Sequence, residues 1–189
     1  MNREYREALH EAHRMAANDG VGLIGYGVAI LRNGDGDIIQ MVPFGNLITD
    51  SGDAYYAAMA ITGVSPSTPS APTFANGMKL GTGTTTVAKN GTAAALITYI
   101  SGSNTTFFTS YPQTVNLGAG LGVNAAYQSQ WAAGVATNGA ITEAVIVTDA
   151  GSDATSSVAN TYHRAVFTAI NKTGSDTLTI NWNAKHLGA

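Results

Sequence analysis

The sequence predicts a mainly β protein, an antiparallel β-sandwich or jelly roll with an N-terminal helical arm and one short helix. Three observations carry this reading. About eight runs of strand-favouring residues are separated by turn signals, as in all-β domains. Two of those runs alternate apolar and polar residues, the pattern of strands buried on one face. The strand–helix–strand alternation of a doubly wound sheet is absent, and no fixed-period repeat is visible. With 189 residues, the chain is long enough for one domain with a real core. We divide it into an arm, residues 1–20, and a sandwich, residues 21–189.

Residues 2–17 read as a helix. Good helix formers dominate, and the Asn18-Asp19-Gly20 stop follows. Tyr5, Leu9, Ala12 and Ala16 fall on one thin apolar stripe. So narrow a stripe predicts an arm that docks on a neighbouring subunit, with Arg3, Tyr5, Arg6, Leu9, Glu11 and Arg14 as its candidate interface. The competing reading packs the helix on its own sandwich. Residues 23–31 and 37–42 flank Asn33-Gly34-Asp35-Gly36, a strong hairpin signal. Residues 50–61 follow as a short helix, capped by Asp50 or Ser51 with Asp53 near the positive end of its dipole. Residues 64–73 hold three of the five prolines and read as an exposed loop.

Strands are then expected at 78–81, 105–111, 123–133, 141–149, 162–171 and 177–186. The last is the cleanest: Leu178, Ile180, Trp182 and Ala184 alternate with Thr177, Thr179, Asn181 and Asn183. Tyr127, Ser129, Trp131 and Ala133 alternate in the same way with Ala126, Gln128, Gln130 and Ala132.

Composition excludes several classes of function. A net charge of −3 and a pI near 5.7 do not suit a bulk polycationic nucleic-acid binder. No apolar run approaches the roughly 18 residues of a membrane span, and the N-terminus has no signal-peptide core. Cysteine is absent, which removes disulfides and thiolate metal sites. Charge is also unevenly placed. Seven charged residues stand in the first 20, whereas Lys79 and Lys89 are the only two across residues 54–142. A surface so poor in charge is weakly protected against association. The pattern points to an assembly protein.

The chemistry-bearing residues form no catalytic pattern, and the chain does not read as an enzyme. His10 and His13 sit three apart, with only Glu4, Glu7 and Glu11 near them in sequence; solvated helix residues are the better reading than a zinc site. His163 and His186 lie in separate strands with no nucleophile motif nearby. Asn33–Asp37 has a faint calcium-loop look, yet the sequence runs on into Ile38-Ile39 and reads as a turn. Gly81-Thr82-Gly83-Thr84 lacks the lysine of a phosphate loop and reads as a strand end bending into a loop. Glu143 reads either as a rim charge or as a partner for Arg164. No cofactor is called for.

Four segments, in order, resemble a family of tailed-bacteriophage virion proteins. Residues 44–53 (FGNLITDSGD) are similar to its N-L-I-T-D-x-G-D stretch, and residues 78–84 (MKLGTGT) to its G-T-G-T element. Residues 139–144 (GAITEA) resemble its G-x-I-T/S-E-A-G-L strand, and residues 176–182 (DTLTINW) its final D-T-L-T-I-T-W strand. The chain departs at Val145, where the family has glycine. The resemblance covers roughly residues 21–187 and implies a virion structural component: a capsid decoration (cement) protein first, a tail, neck or head-fibre subunit second. It implies the major capsid protein, other virion proteins and copies of the chain itself as partners, with no nucleic acid or membrane, and it brings no catalytic residues. From the residues alone, a carbohydrate-binding module is the alternative of a different class, with Trp131, Trp182, Tyr127 and Tyr162 stacking on sugars. Their alternation favours core positions for both tryptophans.

Overall fold

The computed structural model describes residues 3–16, 23–61, 73–116 and 123–186. The stop at Gly20 and all but the last residue of the 64–73 loop lie outside them. Helix α1 (Arg3–Ala16) leads into strands β1 (Leu23–Arg32) and β2 (Ile38–Ile48), then helix α2 (Asp50–Ile61). Seven further strands follow: β3 (Gly77–Gly81), β4 (Thr105–Thr106), β5 (Gln113–Asn116), β6 (Val123–Trp131), β7 (Asn138–Val147), β8 (Thr161–Lys172) and β9 (Thr177–His186). All pair antiparallel in one nine-stranded sheet of order β4-β3-β7-β8-β2-β1-β9-β6-β5. The protein is mainly β, as its strand and turn pattern predicts.

The sheet curls over on itself. β2 pairs with β8 only at Leu47↔Arg164 and Ile48↔His163; before that the two strands part. Two halves therefore face each other across one core. Phe44, Trp131, Leu178, Ile180 and Trp182 come from one half, and Met78, Leu80, Ile146, Phe167 and Ile170 from the other. At the far side the curl nearly closes. The Phe108 amide donates to the Gln128 carbonyl at 2.7 Å, and Ser129 Oγ donates to the Thr106 carbonyl at 3.1 Å.

Strand β2 runs six residues past its expected end and through Pro43. Proline is tolerated because β8 has diverged there, so no ladder bond is missed on that side. The expected 105–111 strand shrinks to Thr105–Thr106, because residues 107–112 turn to bring β5 alongside β6. β5 itself escaped the sequence reading, because all four of its residues are exposed and show no alternation. β6 stops at Trp131, leaving Ala133 outside the strand and exposed. The cap of α2 also differs from expectation. Thr49, one residue earlier, accepts the Gly52 amide at 3.0 Å on its hydroxyl, which in turn donates to the Thr161 carbonyl at 2.6 Å.

The largest correction concerns α1. Its stripe was expected to dock on a neighbour, but it lies on the chain's own sheet. Ala12 is fully buried, and Tyr5, Ala8 and Leu9 pack over Tyr26, Val28 and Ile30 of β1 and Ile38 and Met41 of β2. The side chain of Ala16 lies outside the described residues. The physical reason is in β1. Ala29 and Leu31 fill the main core while Tyr26, Val28 and Ile30 point the other way. A strand apolar on both faces needs a cover on each, and α1 is the outer one.

Candidate functional site

Most of the ionisable groups in the strands have internal structural roles. Glu143 and Arg164, both fully buried, form a two-bond ion pair at 2.7 and 3.1 Å. The carboxylate also accepts the amides of Gly83, Ile97 and Thr98 at 2.8–3.2 Å. The guanidinium donates onward to the carbonyls of Thr85 and Ala93, each at 3.0 Å. A buried pair is tolerated when its remaining donors and lone pairs are satisfied, and this one is. Of the two sequence readings of Glu143, the partner for Arg164 is the one observed.

Gly81 and Gly83 follow from that carboxylate. A Cβ at either position would stand 2.5 Å from Glu143 Oε1, so only glycine lets the backbone approach it. Val145, where the resemblance expects glycine, is fully buried against Leu96, Val147 and Ala150.

A second buried constellation runs from the core to the surface. The Trp182 indole N–H, which can only donate, takes Asn46 Oδ1 at 2.7 Å. Asn46 Nδ2 must therefore donate to His163 Nδ1, at 3.0 Å. That leaves Nε2 to carry the ring proton and donate to the Tyr56 hydroxyl at 2.8 Å, which meets the Tyr127 hydroxyl at 3.0 Å. Gly25 of β1 makes room, since a Cβ there would overlap the Asn46 amide at 2.1 Å. Burial holds the Tyr56 phenol well above its ordinary range and pushes Tyr127 up to about 12. The chain ends at a groove of about 470 Å³ between α2 and the β5–β6 wall, where Tyr55, Met59, Pro112, Gln113 and Thr114 join the two tyrosines. None of its lining residues is charged.

The other candidates resolve one by one. Asn33 Oδ1 accepts the amides of Asp35 and Asp37 at 3.1 and 2.9 Å, with Gly36 at φ 90°, so the segment is a hairpin turn. His10 is exposed on α1, and the side chains of His13 and His186 lie outside the described residues. Among the described residues no group of three His, Cys, Asp or Glu stands close enough to hold a metal ion, and no helix is long and apolar enough to cross a membrane. Trp131 and Trp182 are fully buried core residues, Tyr162 is nearly so, and Tyr127 is nearly buried with its edge on the groove. Of the interface residues expected on α1, Tyr5 and Leu9 face the sheet. Arg3 pairs with Glu7 and Arg14 with Glu11 along the helix, and Arg3, Arg6 and Arg14 are exposed.

No family model, curated protein or solved structure matches this chain.

Proposed function

We propose that this chain is a non-enzymatic structural component of a bacteriophage particle, first of all a capsid decoration (cement) protein that binds the major capsid shell. One observation carries the reading: segments that resemble the virion family, far apart in sequence, interlock in space. The GTGT glycines wrap the Glu143 of the ITEA segment. Asn46 of the NLITD segment accepts the indole N–H of Trp182 in the last strand at 2.7 Å. The four segments thus meet in two pairs, each closed by a buried polar contact, as parts of one shared scaffold would.

The charge-poor surface supports the same reading. β5 is exposed and uncharged, and Phe74, Met59, Phe108 and Val115 add exposed apolar area. Such a surface suits association with other virion proteins and with copies of itself. Many copies on one shell would make weak contacts effective through multivalency. A tail, neck or head-fibre subunit is the second reading within the class. Quantitative mass spectrometry of purified particles tests both. Hundreds of copies per particle support decoration of the capsid, a dozen or fewer move the chain to neck or tail, and absence from particles overturns the proposal.

A further inference from the structure

We propose that Asn90-Gly91 is a site of spontaneous self-modification, where the asparagine side-chain amide is lost and an aspartate or isoaspartate takes its place. The inference concerns the chain's own chemistry and stands apart from the virion reading.

Four asparagines are followed by glycine: Asn33, Asn76, Asn90 and Asn138. In such a pair the glycine nitrogen attacks the asparagine Cγ, because glycine has no side chain to hinder the approach. The N–Cγ bond forms, the Cγ–Nδ2 bond breaks, and ammonia leaves. Water then opens the resulting succinimide at either carbonyl, giving aspartate or isoaspartate. The reaction needs a side chain and a backbone amide that can both move, and three of the four pairs are held. Asn33 Oδ1 accepts the amides of Asp35 and Asp37. Asn76 Oδ1 accepts the Ala150 amide at 2.9 Å, and Gly77 is buried in β3 between β4 and β7. Asn138 Oδ1 accepts the Ala140 amide at 2.8 Å where β7 begins.

Asn90 differs. It and Gly91 are both exposed. Among the described residues no backbone amide donates to Asn90 Oδ1, and the Gly91 amide has no acceptor. The base of the loop is fixed, because Arg164 donates to the carbonyls of Thr85 and Ala93. The apex can therefore rearrange while the fold stays closed. Gly91 has φ 68° and ψ −169°, a region essentially reserved for glycine. The fold thus requires the very residue that makes the bond labile. Before modification, Asn90 Nδ2 donates to Asp50 Oδ2 at 3.1 Å. A carboxylate at residue 90 loses that donor and faces Asp50 with like charge. The loop then loosens from the start of α2, where the Asp50 amide donates to the Lys89 carbonyl at 2.8 Å.

The test incubates the full chain in heavy-oxygen water at mildly alkaline pH, followed by peptide mapping and isoaspartyl methyltransferase labelling. Heavy oxygen should enter residue 90 ahead of residues 33, 76 and 138. Asn90→Gln, whose longer side chain closes the ring slowly, should remove that signal with an unchanged melting curve. Amide exchange then compares Asn90→Asp with the unaltered chain. The Asp50 amide should exchange several-fold faster in the variant, and Asp50→Asn added to it should restore protection at that position. Residue 90 left intact while the denatured chain converts it overturns the site, as does conversion first at another pair. Equal protection of the Asp50 amide with and without Asn90→Asp overturns the loosening.

Discussion

At the scale of single residues, the charged groups fall into two sets with opposite weight. Arg3–Glu7 and Arg14–Glu11 are exposed helix pairs, and such pairs contribute about 0–1 kcal/mol. Glu143–Arg164 is different, because removing one member strands the other in the core. Glu143→Ala leaves a buried guanidinium uncompensated and the Gly83, Ile97 and Thr98 amides without their acceptor. It should cost about 3–5 kcal/mol, read as a drop in the denaturant midpoint, while Arg14→Ala barely moves it. Comparable losses for the two variants would show that the pair does not organise residues 82–100.

At the scale of elements, α1 decides between two readings of the same amphipathic stripe. Deleting residues 1–19 should uncover Val28 and Ile30, which are 0% and 7% exposed beneath it. Burial of such a side chain contributes about 1.5–3 kcal/mol, so the truncated chain should melt well below the full one. A truncated protein with an unchanged melting temperature would return α1 to the role of an arm for a neighbour. The loops are held by comparable local devices. Asp153 accepts the Gly102 amide at 2.7 Å and the Tyr99 hydroxyl at 2.8 Å, and these bonds hold its carboxyl below the usual range. Asp176 accepts the Thr173 hydroxyl and amide, each at 2.7 Å, with the same effect on its own carboxyl.

At the scale of the whole molecule, buried and bonded phenols set an alkaline limit. Burial first, then the bond to Asp153, pushes Tyr99 up to about 12, and burial does the same for Tyr127. An unfolded tyrosine titrates near 10. These groups keep their protons longer in the folded state, so their contribution is complete below about pH 10 and is lost as pH rises toward 12. The lowered carboxyls of Asp153 and Asp176 act in the opposite sense, with their contribution lost as pH falls through the carboxylate range. Melting temperature against pH, read beside tyrosinate absorbance, should show the alkaline decline. Titration of every tyrosine near 10 with no loss of stability would contradict it.

Periodicity alone was enough for β9, whose predicted and observed limits coincide at Thr177–His186, and cap residues were enough for the bounds of α2 at residues 50–61. One face of β9 is core, so spacing and burial coincide there, and a polar run at residues 49–53 marks the start of α2 even though Thr49 supplies the cap. The turn at residues 33–37 was legible for the same reason, since its bonds close within five residues. Tertiary structure alone decided what depends on partners far along the chain. The Trp182–Asn46–His163–Tyr56 chain joins four segments of different elements, and no spacing in the sequence signals it. β5 became a strand only because the turn at 107–112 laid it beside β6. The sequence carried the apolar stripe of α1, but not its destination. A helix face records that it must be covered, and only the packed chain, with β1 apolar on its outer side, determines what covers it.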